Sequence, residues 1–227
     1  RHREEMKRIG RGNADRRWDV LPQQPALVYD IAQNRLIATA AVLQPPVFDP
    51  AATTPAKFGS FGALVGHELT RAIDAKGAQI DARGELRNWW TPAEQSAWQT
   101  VTAQVAAPLA AVAYPGVREG QLQPALVTES ALADQSGLEL AWQTWRGIEP
   151  DADAAASKAF FTAWAQLWPQ AVSPNEALAR MGADTHLPGA LRSNLPLANL
   201  PAFGQAFGCS AGQPLQRAAD AQLQIWP

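Results

Sequence analysis

The chain has 227 residues, 47% of them hydrophobic and 18% charged, which is apolar enough for one sizeable core and excludes global disorder. A formal net charge of -2 gives no electrostatic footing for nucleic acid as a partner. Cys209 is the only cysteine, so an internal disulfide is excluded, and no stretch is long and apolar enough to span a membrane. The chain opens on Arg1 rather than methionine and shows no signal peptide, so it is expected to be a processed or truncated piece of something longer.

In chain order, the basic stretch from Arg1 to Arg17, diluted by Glu4, Glu5 and Asp15, reads as a solvated lead-in helix and loop running to about residue 25. Residues 26–43 hold two apolar stretches, ALVYDI and RLIATAAVL, and the AQN between them predicts a β-hairpin. The prolines of QPPVFDP exclude helix over 44–50. From residue 60 the pattern turns helical, and SFGALVGHELTRAID reads as a mostly buried helix. Thr91-Pro92-Ala93-Glu94 is a helix start with a threonine cap and glutamate three positions on, and that helix is expected to reach about Ala113. Further helices are expected over Pro124–Trp145 and Asp151–Trp168 and from Pro174. Residues 184–198 read as loop, and 199–207 as a last turn or two. The chain is therefore expected to be one mainly α region with a small β element, an α+β class, spanning 1–227 with everything from residue 60 mainly helical.

The chemistry-bearing motif is Gly66-His67-Glu68-Leu69-Thr70-Arg71, inside the apolar helix. Positions i and i+4 share a helix face. In H-E-x-x-H that spacing aims two imidazoles at one zinc, with the glutamate as general base on a bound water. Here Arg71 stands at the second position. A guanidinium stays charged and has no lone pair for a metal. Alone, such a motif is weak and reads first as a helical histidine with neighbouring charges.

Its surroundings are more specific. Leu43-Gln44-Pro45-Pro46-Val47-Phe48 precedes the helix, following Ile9-Gly10, Trp18, Pro22 and Tyr29. Asp74, Gly77, Asp81, Gly84 and Trp89-Trp90-Thr91 follow it. His186-x-Pro188-Gly189-x-x-Arg192 comes near the end, before Phe203, Phe207, Cys209, Gly212 and Ile225-Trp226. This colinear series resembles the C-terminal catalytic region of the neprilysin family of zinc metallopeptidases, in a bacterial style. The resemblance implies a zincin, thermolysin-like fold, zinc as cofactor, peptide hydrolysis, and an exported location such as a bacterial envelope or medium. It also implies an N-terminal portion, roofing the site, that this sequence lacks.

By the same resemblance His67 is the first zinc ligand, Glu68 the catalytic base, Asp134 the partner that orients a zinc histidine, and His186 and Arg192 the groups that steady the oxyanion and grip substrate. The family's second ligand position falls on Arg71. Its third, a glutamate four residues before the aspartate, falls on Ser130. Glu129 lies one residue early, which rotates its side chain by about 100°. It is a substitute ligand only if the helix bulges. The substrate-holding asparagine–alanine pair falls on Ala26-Leu27. Each retained residue also has a plain structural reading: Glu68 in an ion pair, Asp134 beside an arginine, His186 satisfied in its loop.

Two ligand positions are thus altered, and zinc is expected to be absent or weak. Arg71 is expected to fill the former metal site and pair with Asp134, Glu68 or both. The functional expectation is an inactive peptidase-like domain that binds a peptide or protein partner. The alternative is an active zinc endopeptidase rebuilt from His67, His186 and Glu129. A third reading is a piece of a split or truncated protein with no separate function, whose apolar surface, left bare by the missing portion, would lead it to dimerise or aggregate. No Gly-x-Ser-x-Gly supports a serine hydrolase.

Overall fold

The computed structural model describes residues 3, 6, 7, 9, 10, 20–223 and 225. The basic lead-in therefore falls largely outside the described residues, as do Trp18 and Trp226. Two antiparallel strands, β1 (Leu27–Asp30) and β2 (Arg35–Ala38), form the predicted hairpin, with Leu27 opposite Ala38 and Asp30 opposite Arg35. Asn34 takes a positive φ of 46° in the turn, a conformation that asparagine tolerates well.

The helix that carries His67 begins six residues earlier than its pattern suggests. Thr54–Lys57 (α1) starts it, Phe58–Gly62 forms a π-helical turn, and Ala63–Thr70 (α2) completes it. Pro55, in the first turn, fits a helix start because N–H groups there have no partner to lose. The π turn seats Gly59 against the Phe160 backbone, where an added Cβ would lie 2.0 Å from the Phe160 carbonyl oxygen.

Thr91 and Glu94 close the expected capping box on α3 (Pro92–Leu109). The helix stops short of Ala113, just past Pro108, which has no N–H to donate. Next come α4 (Pro124–Ile148), α5 (Ala154–Ala165) and α6 (Pro174–Ala183). The last two helices are α7 (Gly189–Ala198) and α8 (Pro201–Phe207). Helix α7 corrects the expected loop over 184–198. The proline and glycine at 188 and 189 read as a turn, yet they lead into a helix whose Leu191 and Leu195 pack on the core.

Helix α4 organises the interior. Its first half supplies Val127, Ala131 and Leu132 to one cluster with Val105, Leu109 and Leu187. Its second half supplies Leu138, Ala141 and Trp145 to another with Phe160, Phe161 and Trp164. Between these apolar halves lies a buried polar waist that includes Asp134, Gln135 and Ser136. Helix α2 crosses α4 beside that waist. A Cβ on Gly137 would lie 2.3 Å from the His67 backbone nitrogen, and one on Gly66 would lie 2.8 Å from the Gly137 oxygen. Two glycines meeting at the crossing let the backbones approach this closely. Thr70 Oγ1 then donates to Ser136 Oγ at 2.9 Å across the joint.

Candidate functional site

The close crossing sets His67 against Asp134. His67 Nδ1 and Asp134 Oδ1 are 2.7 Å apart, and both residues are buried. A carboxylate accepts, so Nδ1 donates, and the Nε2 on the other side of the ring lies 3.9 Å from the Glu68 carboxylate. Arg192, on the first turn of α7, completes the cluster: its Nε and Nη2 donate to the two Asp134 oxygens at 2.8 and 2.6 Å. Its guanidinium also lies 3.8 Å from the centre of the Trp168 ring. Full burial alone would raise the Asp134 carboxyl, but the bonds from His67 and Arg192 outweigh it and hold the group below its ordinary value.

Glu68 points the other way, to the hairpin. The bond from Thr39 N–H to the Ala26 carbonyl makes residues 26 and 39 a hydrogen-bonded pair. Alternation along an antiparallel pair then turns the backbone groups of Leu27 and Tyr29 away from β2. Tyr29 N–H donates to Glu68 Oε2 at 3.0 Å on that outer edge. Ala26 N–H meets Thr39 Oγ1 at 3.0 Å, so both Ala26 backbone groups serve the hairpin. Between β1 and α2 opens a cleft of about 240 Å³, lined by Leu27, His67, Glu68, His186 and Arg192 with an apolar wall of Val42, Val47, Leu64, Leu167 and Trp168. Burial, and then the charge of Arg192, push the His186 imidazole below its ordinary value, which favours its neutral form.

Of the two positions that the family resemblance marks as altered ligands, Arg71 lies in a second cluster and Ser130 does not. Arg71 Nη1 stands 3.4 Å from Asp74 Oδ2 and 4.0 Å from Glu129 Oε2. Lys76 Nζ donates to Glu129 Oε2 at 2.8 Å. Asp74 is buried, and its Oδ1 also accepts the backbone N–H groups of Lys76 and Gly77, each at 2.8 Å. Ser130 Oγ turns back to the Val127 carbonyl at 3.1 Å within its own helix. The expected pairing of Arg71 with Asp134 or Glu68 is thereby corrected. Asp134 is already satisfied by Arg192 and His67, and Glu68 accepts the strand edge, so Arg71 takes Asp74 and Glu129 instead.

The pattern of peptidase family M13 matches residues 27–223. The chain belongs to peptidase family M13. Among M13 relatives it is 29% identical over 212 residues to a neutral endopeptidase of Lactococcus lactis, covering 92% of this chain and 32% of that protein. It is 27% identical to bovine endothelin-converting enzyme 1 over 87% of this chain and 27% of that one. A zinc metalloprotease of Mycobacterium tuberculosis, solved with an inhibitor, superposes with a TM-score of 0.89 at 28% identity, covering all of this chain and 36% of that one. The chain thus spans about a third of the length of the curated relatives it matches. The expected mainly helical zincin-type fold with a small sheet is borne out.

Zinc is the metal of the family, and the residues present do not fit it. The second position offers a guanidinium held by two carboxylates. The third offers a hydroxyl committed to its own helix. Glu129, the candidate substitute, is engaged by Lys76 and Arg71. Among the described residues, no three His, Cys, Asp or Glu side chains come together as a metal-holding group.

The sequence pointed to His67, Glu68, Asp134, His186 and Arg192, and the structure gathers all five around one cleft or its base. Sequence reasoning missed Trp168, the apolar wall and the Tyr29 N–H. Nothing in a lone tryptophan after a helix marks it as the shelf under an arginine, and a backbone donor carries no residue signature.

Proposed function

We propose that this chain is a neprilysin-like domain without zinc-dependent hydrolysis, whose cleft holds an extended peptide or a protein segment. The observation that carries the reading is Arg71: a permanently charged side chain, engaged by Asp74 and Glu129, stands where a second imidazole would have to bind. With Arg71 and Ser130 at two of the three family ligand positions, the water-activating chemistry lacks its metal-holding set, and Glu68 serves as an acceptor for β1.

The cleft favours a peptide over a small polar molecule. Its outer strand edge presents backbone groups, which suits an added extended segment. The wall of Val42, Val47, Leu64 and Leu167 suits one apolar side chain, and His186 and Arg192 supply donors at the far side. The rest of an M13 protein, carried by the same or another chain, and a second copy of this chain are further partners consistent with the short span. An exported, bacterial location goes with the reading by family resemblance. Among the described residues no helix is long and apolar enough to cross a membrane.

The test is elemental analysis of purified protein dialysed against zinc, alongside a cleavage assay on an unstructured peptide. The expected result is far less than one zinc per chain and no cleavage. One zinc per chain with cleavage would overturn the reading in favour of an endopeptidase rebuilt around His67 and His186. Backbone amide shifts at Leu27 and Tyr29 on adding an extended apolar peptide would support the binding half.

A further inference from the structure

The cleft beside His67 is the first of two hollows along the same trough. It takes Leu27 from β1 and Leu64, His67 and Glu68 from α2. Further along, Tyr29 and Ile31 continue the chain of β1, and Ala72 and Ile73 continue the chain past α2. These four residues, with Ile80 and Trp89, line a second hollow of about 380 Å³, larger than the first. Both chains advance in the same order from one hollow to the next, so the two lie side by side along β1. The bond from Tyr29 N–H to Glu68 Oε2 marks their border, since Glu68 lines the first and Tyr29 the second.

The walls of the second hollow are fixed by bonds made behind them. The Trp89 indole N–H donates to the Gly77 carbonyl at 2.9 Å, and the Trp89 backbone N–H donates to the Ala78 carbonyl at 3.1 Å. Ile80 is held by an antiparallel bridge to Leu86. The Tyr29 hydroxyl donates to Asn34 Oδ1 across the hairpin turn. Asp81, also in the lining, accepts the backbone N–H groups of Arg83 and Glu85 through one oxygen, at 2.9 and 3.1 Å. Three isoleucines and a tryptophan make up most of the wall. Such a surface favours a large apolar side chain over a polar one.

Strand periodicity says how one ligand reaches both hollows. Leu27, Tyr29 and Ile31 are alternate residues, and an extended segment laid along the outer edge of β1 likewise turns every second side chain to one side. A side chain in the first hollow is therefore matched in the second by one standing two or four places away, about 7 or 13 Å along the strand. A side chain three places away faces the other side. We propose that the second hollow is a side-chain pocket for the same extended peptide, so that the protein selects peptides with two large apolar residues at an even spacing. The proposal rests on the peptide-binding reading above and adds a sequence preference to it.

Blocked nine-residue peptides of alanine and serine test it against the full chain. One carries a single leucine, and the others add phenylalanine two, three or four places away on either side. Kd is read by fluorescence anisotropy and the contacted residues by amide shifts in NMR spectra. Phenylalanine at two or four places is expected to tighten binding by at least about tenfold, and at three places to add little. The amide signals of Ile73 and Ile80 should move only with the tighter peptides. Ala82→Trp fills the hollow from an exposed position in its lining, and there the leucine and leucine–phenylalanine peptides should bind alike.

A gain under about threefold at every place would overturn the proposal while leaving the first cleft standing. So would an equal gain at three places, or a gain that survives in Ala82→Trp. Lysine matching phenylalanine would also overturn it, because the hollow would then be reading charge at Asp81. If the leucine peptide fails to move the Leu27 and Tyr29 amides, the peptide-binding reading falls first and this inference falls with it.

Discussion

Two ion-pair clusters bridge α2, or the loop that follows it, to α4, the inner one with Arg192 added from α7, and they differ in depth. The inner one joins His67, Asp134 and Arg192; its aspartate is fully buried and every contact is 2.6–2.8 Å. The outer one joins Arg71, Asp74, Glu129 and Lys76, with separations from 2.8 to 4.0 Å and a lysine side chain that is 72% exposed. The inner cluster cannot lose a member without stranding a charge in the core. The outer one can exchange partners through solvent. That contrast explains how a site can keep Asp134 and Arg192 while its metal-facing positions change.

Breaking the inner cluster should cost most. Asp134→Ala strands the Arg192 charge beside Trp168 and should lower stability by about 3–5 kcal/mol, read by urea unfolding. A loss under about 1 kcal/mol would show that depth does not separate the clusters. The pH dependence sharpens the point. Asp134 is held below its ordinary value, so its contribution is complete above the unfolded carboxylate pKa of about 3.9. It is lost as pH falls through the lowered folded value. The stability gap between wild type and Asp134→Asn should therefore hold from neutral pH to near 4 and close only below that, in unfolding curves taken across the acid range.

Overfilling the joint between the clusters should have an intermediate effect. Gly137→Ala places a methyl against the His67 backbone and should cost about 1–3 kcal/mol, with the His67 ring signals shifting in NMR spectra. Loosening the outer cluster should cost least. Lys76→Met should change stability by less than about 1 kcal/mol, and the change should vanish at high salt. A salt-proof loss of several kcal/mol would make the outer cluster as rigid as the inner one.

Much of this was legible in the residues. The capping box at Thr91 and Glu94, the hairpin of residues 26–43 and the long helix after Pro124 follow from local rules that tertiary packing did not override. The inner cluster was legible only in part, because the spacing to Asp134 and Arg192 comes from resemblance and their pairing from space. Arg71 misled the reading for an electrostatic reason. A cation seeks the nearest unsatisfied carboxylate, and no sequence rule tells which carboxylates are already taken. Helix α7 was missed because Pro188 and Gly189 speak for a turn locally, while Leu191 and Leu195 find partners far along the chain.

The π turn at Phe58–Gly62 has its own consequence. A turn of that kind holds one residue more than an α turn. The winding there sets the angle of everything after it. Were the same residues to wind as an uninterrupted α rod, each later side chain would swing by about 100° relative to Thr54–Lys57. Anchored by Gly59 against Phe160, such a rod would carry His67 off its bearing toward Asp134. The cleft is thus keyed by the winding of one turn, which the close seat of Gly59 on Phe160 holds in place.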